Sequence, residues 1–208
     1  MIGPITDPDI RAAARAALAR DEVICLPTDT VYGVGVDPYR APAVQNLLRV
    51  KRRTIAKPPP ILVGKIDDAR ALCPQLSPAA LDLIQEFWPG ALTIVLPTDV
   101  KLGWDLSEMG GTIALRMPNS PATLELLAET GPLAVTSANL TEHDPATSAQ
   151  AAQAQLGDAV SVYLDAGESG GGVPSTIVRL TADGAAVQIL RHGAISAAQI
   201  AALVKVQP

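Results

Sequence analysis

Five cations, Arg49, Lys51, Arg52, Arg53 and Lys57, fall within nine residues and are followed by the rigid Pro58-Pro59-Pro60. Like charges packed that densely repel one another unless an anion neutralises them. The run therefore points to a phosphate or nucleic-acid ligand, or else to a solvated basic helix end, which the helix dipole favours. Lys51 and Arg53 are two residues apart, so a helix must end near them for both to reach one ligand. Residues 38–66 hold seven cations and no acid, leaving 9 of the 16 basic side chains to face all 21 acids. The formal charge of -5 thus hides a cationic island in an acidic body.

Other candidate groups are scattered. Leu26-Pro27-Thr28-Asp29-Thr30-Val31-Tyr32-Gly33-Val34-Gly35 offers hydroxyls, a carboxylate and glycines that let the backbone approach a ligand. Arg116 can grip a carboxylate through two parallel hydrogen bonds, which a lysine cannot match. Ser137 and Asn139 follow an apolar run, and Thr112, Ser175 and Arg191 add hydroxyl and guanidinium groups. Taken singly, each also serves as an ordinary turn, strand or surface residue. There is no Walker A pattern, so any phosphate must be held by dispersed cations instead of a glycine-rich loop. There is no credible Ser-His-Asp set. His143 and His192 are the two histidines, and Cys25 and Cys73 fit no C-x-x-C spacing, so a zinc site is not expected. The cysteines read as buried free thiols of a reducing compartment.

The elements that must position these groups alternate between helix and strand. Asp7-Pro8 caps an Ala-rich helix running to about Arg20. Residues 23–26 form a short apolar run suited to a buried strand, and 41–50 a helix with Val44, Leu47 and Leu48 on one face. Further strands are expected at 61–63, 92–96, 112–117 and 133–136, with helices opened by Ser77-Pro78 and Ser120-Pro121. A helix from about Ser148, strands near 160–164, 176–180 and 187–190, and a helix from Ser196 complete the series. This order implies an α/β fold, a twisted mixed sheet with flanking helices, because several connections are short. No repeat or linker interrupts it, so a single domain over residues 1–208 is expected. Gly167-Glu168-Ser169-Gly170-Gly171-Gly172 reads as a lid over a site or as a free surface loop.

Composition closes off other classes. With 48% hydrophobic and 18% charged residues, the chain is neither disordered nor a coiled coil. Aromatics at 3% leave the core aliphatic and offer little base stacking. No apolar run spans a bilayer and the first residues lack a secretory pattern, so a cytoplasmic protein with no membrane contact is expected.

Together, the Thr28–Gly35 region, Lys51-Arg52-Arg53, Lys57-Pro58, Phe87-Trp88-Pro89-Gly90-Ala91-Leu92-Thr93, Thr112-Ile113-Ala114-Leu115-Arg116 and Thr136-Ser137-Ala138-Asn139 form a more specific signature. The chain resembles the YrdC family, the threonylcarbamoyl-AMP synthases of tRNA modification, from about Pro8 through Ile195. That resemblance implies a YrdC-like sheet around a basic cavity. It implies synthesis of threonylcarbamoyl-AMP from ATP, L-threonine and bicarbonate, with Mg2+ carried by ATP and pyrophosphate released. A tRNA-modifying transferase complex would then use the product. It also implies that Thr30, Arg116 and Ser175 contact L-threonine. Lys51, Arg53, Lys57, Thr112, Ser137, Asn139 and Arg191 would serve ATP, with Lys51 and Arg53 closest to the chemistry.

Four positions depart from the family pattern: Thr141-Glu142 replaces a usual Ser-Gly pair, Leu62 stands where His is frequent, and Arg179 where an acid is common. The residues leave open two other readings: a non-enzymatic double-stranded RNA or tRNA-binding module, and a paralogue acting on another carbamoyl or acyl adenylate.

Overall fold

The computed structural model describes residues 1–52, 58–140, 143–170 and 172–207. Its first half runs β1 (Ile2–Pro4), α1 (Pro8–Ala19), β2 (Ile24–Leu26), β3 (Gly33–Val36), α2 (Ala41–Val50), β4 (Ile61–Leu62), α3 (Ile66–Leu72), α4 (Pro78–Phe87) and β5 (Leu92–Pro97). The second half runs β6 (Thr112–Arg116), α5 (Pro121–Thr130), β7 (Leu133–Ser137), α6 (Ala149–Leu156), β8 (Val162–Asp165), β9 (Thr176–Leu180), β10 (Ala186–Arg191), α7 (Ala197–Ala201) and β11 (Lys205–Gln207).

Helix starts follow local chemistry. The Asp7 carboxylate accepts from Asp9 N at 2.9 Å, with Pro8 already at the helical dihedral. Ser77 and Ser148 cap α4 and α6 in the same way, and Ser196 forms a reciprocal capping box with Gln199. Ser120 behaves differently. Its hydroxyl donates to Thr123 Oγ1 at 2.9 Å, and Thr123 donates to Pro27 O at 2.8 Å. That relay ties the start of α5 to the chain leaving β2.

The strands form one mixed sheet in the order β1-β8-β2-β3-β7-β4-β6-β5-β9-β10-β11. β5 lies antiparallel to β6 and parallel to β9, pairing Val95 with both Ala114 and Arg179. Three aliphatic cores hold the helices to this sheet. α1 and α5 pack through Leu18 and Leu127 on Ile24 and Leu133. α2 and α6 pack through Leu47 and Leu156 on Val34 and Tyr163. α3, α4 and α7 bury Leu72, Leu83 and Ile200 against Ile94, Leu115 and Val178. Burial pushes the Cys73 thiol up to about 12 and the Cys25 thiol higher still, as expected of inert packing cysteines.

Four elements go beyond the sequence reading: β1, β3, α3 and β11. β3 carries two glycines in four residues and looks like a turn. It is nonetheless a fully buried strand, hydrogen-bonded to both β2 and β7.

Candidate active site

Strand alternation builds the site. Side chains of successive strand residues point to opposite faces. On β5, Leu92, Ile94 and Leu96 enter the core under α4, which sends Thr93 and Val95 to the other face. On β6 the same alternation buries Ile113 and Leu115 and turns Thr112, Ala114 and Arg116 outward. On β9 it buries Val178 and presents Ile177 and Arg179. These outward residues line a cavity of about 520 Å3, walled by Leu47, Leu48 and Lys51 at the end of α2 and by Pro58, Pro59 and Pro60.

At one end stands Arg116, 6% exposed. Its Nη2 donates to Asp29 Oδ1 at 2.6 Å, its Nη1 to Thr30 Oγ1 at 2.9 Å and its Nε to Gly90 O at 2.9 Å. Gly90 can present that carbonyl because it approaches the end of α4 closely; an added Cβ would lie 2.5 Å from Phe87 O. Burial lowers the Arg116 pKa, Asp29 opposes that shift, and nearby Arg191 adds to it. One proton on each Nη has no partner among the described residues, so the fork can still accept a carboxylate. Thr28 supports Thr30, with 3.0 Å between the hydroxyl oxygens, and donates to Val31 O at 2.6 Å.

Along the wall, Lys51 is 1% exposed. Its Nζ donates to Ser137 O at 2.6 Å, to Asn139 Oδ1 at 2.9 Å and to Asn139 O. The ammonium thereby fixes the turn leaving β7. Ser137 Oγ also donates to Asn139 Oδ1 at 2.6 Å. Ser137 faces the cavity, whereas Asn139 stands behind the wall and donates to His143 O at 2.5 Å.

Close to Arg116, Arg191 binds Ser175 three times. Nε and Nη2 donate to Ser175 O at 3.0 and 2.7 Å, and Nη2 donates to Ser175 Oγ at 3.0 Å. Gly193 allows the approach, since an added Cβ would lie 2.3 Å from Pro174 O. Ser175 Oγ lies 2.8 Å from Thr93 Oγ1. Burial lowers the Arg191 pKa. Thr112 lines the cavity and donates its hydroxyl proton to Met109 O at 2.7 Å.

The structure therefore brings together Thr30, Lys51, Thr112, Arg116, Ser137, Ser175 and Arg191 on one cavity. Asn139 contributes from behind it. Arg53 and Lys57 lie outside the described residues, as do Thr141, Glu142 and Gly171. Of the described cations between residues 38 and 66, Lys51 alone lines the cavity. Arg40 instead pairs with Asp21, and Arg49 donates to Asn46. The other lining cations, Arg116, Arg179 and Arg191, come from distant strands. Near the site, Tyr32 OH donates to Gly167 O at 2.7 Å and Ser169 N donates to Thr147 O at 2.7 Å, anchoring the Gly-rich loop.

Sequence reasoning gave no site role to Thr93 or Arg179 and named Asp29 only as the carboxylate of the Leu26–Gly35 run. The first two had a signal: each is a polar residue on the outward phase of an otherwise apolar strand. The Asp29–Arg116 pair, separated by 87 residues, had none.

Comparison with known proteins follows the same lines. The Sua5/YciO/YrdC family model, described as "Telomere recombination", matches residues 16–193. A protein of Mycobacterium tuberculosis (strain ATCC 25618 / H37Rv) is 44% identical over 199 residues, covering 94% of this chain and 91% of its own length. The threonylcarbamoyl-AMP synthase of Bacillus subtilis (strain 168) is 36% identical over 200 residues, covering 95% of this chain and 57% of that protein. The crystal structure of P. abyssi Sua5 complexed with L-threonine superimposes with a TM-score of 0.86 at 28% identity, covering 100% of this chain and 62% of that one.

Proposed function

The chain belongs to the Sua5/YciO/YrdC family, and from that premise we propose that it is a threonylcarbamoyl-AMP synthase serving tRNA modification. One observation carries the reading. Arg116 with Thr30 and Ser175 with Arg191, residue types suited to an amino acid and to a nucleotide, meet in one cavity.

Arg116, Thr30 and Ser175 would hold L-threonine, the guanidinium using its two remaining protons on the carboxylate. Thr112, Ser137 and Arg191 would hold the nucleotide, with Asn139 positioning Ser137 from behind the wall. Lys51, Arg53 and Lys57 would supply positive potential for the phosphates, Lys51 also by fixing the Ser137–Asn139 turn. The threonine amine and bicarbonate give the N-carboxylate and water. A carboxylate oxygen then forms a bond to the α-phosphorus while the bond from α-phosphorus to the bridging oxygen breaks and pyrophosphate leaves. The enzyme's contribution is alignment and charge neutralisation. Among the described residues no group of three metal-ligating side chains exists, and the cavity is lined by hydroxyls and cations. A magnesium ion would therefore take its ligands from the triphosphate, with cavity hydroxyls as the protein's oxygen donors. Bound there, it would neutralise phosphate charge. The product would pass to a tRNA-modifying transferase complex in the cytoplasm. Among the described residues no helix is long and apolar enough to cross a membrane.

The test is pyrophosphate release by purified protein with ATP, bicarbonate and Mg2+. Release that requires L-threonine is expected. Folded protein giving no threonine-dependent release would sink the reading.

A further inference from the structure

We propose that Arg179 stacks its guanidinium plane on the adenine base of ATP and so closes the nucleoside end of the cavity. The inference rests on the synthase reading and assigns a residue to the base, for which that reading names none.

Strand register leaves one stretch of the cavity floor for the nucleoside. Lys51 is bound to the turn leaving β7, and β4, β6 and β5 separate that strand from β9. On the synthase reading the phosphates lie at the Lys51 side and Arg191 serves the nucleotide from β10, where it pairs with Ile177 of β9. Two residues along β9, a rise of about 7 Å, comes Arg179. It forms one row with Val95 of β5 and Ala114 of β6, and Thr112 begins the next row. Ala114, Val95 and Arg179 line the cavity, and none of them serves the amino acid or the phosphates.

The chemistry of that row suits a base. Val95 and Ala114 give an apolar floor with a cation at its edge. A purine in a wet cleft gains most from a planar group over its face, either an aromatic ring or a guanidinium. Tyr32 is the one aromatic among the described lining residues, and it is 0% exposed with its hydroxyl donated to Gly167 O. Lys51, Arg116 and Arg191 all commit donors to protein oxygens. Arg179 is exposed and has no hydrogen-bond or ion-pair partner among the described residues, so its plane is available. Arginine stacks through its delocalised plane, which lysine lacks, whereas either residue serves a phosphate as a charge.

That difference supplies the test. Isothermal titration calorimetry measures binding of Mg2+-ATP, and separately of Mg2+-pyrophosphate, to wild type and Arg179→Lys. The substitution keeps the charge and loses the plane, so the ATP Kd is expected to rise about tenfold. Pyrophosphate has no base, and its Kd should stay within about twofold. If Arg179→Lys fails to fold, judged by its circular-dichroism melt, Arg179→Met is titrated instead, and ATP should again weaken more than pyrophosphate. An unchanged ATP Kd, or a pyrophosphate Kd that rises in step with it, overturns this inference alone. Wild type that binds no ATP overturns the synthase reading and this inference with it.

Discussion

The two arginines Arg116 and Arg191 solve opposite problems within one cavity. Arg116 is buried, and three of its donors are engaged by Asp29, Thr30 and Gly90. Arg191 is partly exposed, bonds a neutral residue and has no carboxylate partner among the described residues. A buried charge must be paired, and pairing fixes its direction. Arg116 is thus a rigidly held fork whose charge Asp29 offsets, the form that the proposed carboxylate site requires. Arg191 keeps its charge available, as a site for a multiply charged phosphate requires. On the proposed function, rigidity would serve the small zwitterion and uncompensated charge the polyanion.

The strongest way to break this contrast is Arg116→Ala. Threonine kcat/KM is expected to fall about a thousandfold, equivalent to about 4 kcal/mol. Stability should drop by about 3 kcal/mol because Asp29 loses its buried partner; kinetics and a denaturant titration read both. Arg191→Ala should cost about a hundredfold in kcat/KM for ATP and only about 1 kcal/mol of stability. Equal stability losses at the two arginines would erase the distinction. Thr30→Val removes a partner of the fork without removing the charge, so threonine KM should rise about tenfold while ATP KM holds. Salt gives the smallest effect. Between about 0.05 and about 0.5 M, ATP KM should rise several-fold and threonine KM by less than about twofold, because screening reaches exposed charges first.

Much of this arrangement was legible beforehand, and its limits have physical causes. Helix starts were readable because Asp7, Ser77 and Ser148 cap through bonds only two or three residues long. The strands of the cavity floor were readable from runs of branched aliphatic residues. β3 was hidden because its glycines are dictated by its neighbour: an added Cβ on Gly33 would lie 2.4 Å from Val135 Cγ1, a contact across strands that local pattern cannot reveal. The basic residues were visible but their directions were not. Arg40 turns to Asp21 and Lys51 to the β7 turn, both set by long-range packing. Family likeness picked out Arg116 and Ser175. It did not reveal that Asp29 neutralises the one and Thr93 joins the other.

The central claim is that Arg116 is the carboxylate fork of an amino-acid site on the β6-β5-β9 face. A crystal structure of the protein soaked with L-threonine tests it most directly. The expected result is a threonine carboxylate within hydrogen-bond distance of the Arg116 Nη atoms, with the Asp29 contact retained. Threonine bound elsewhere, or density absent from an accessible cavity at saturating concentration, would contradict it.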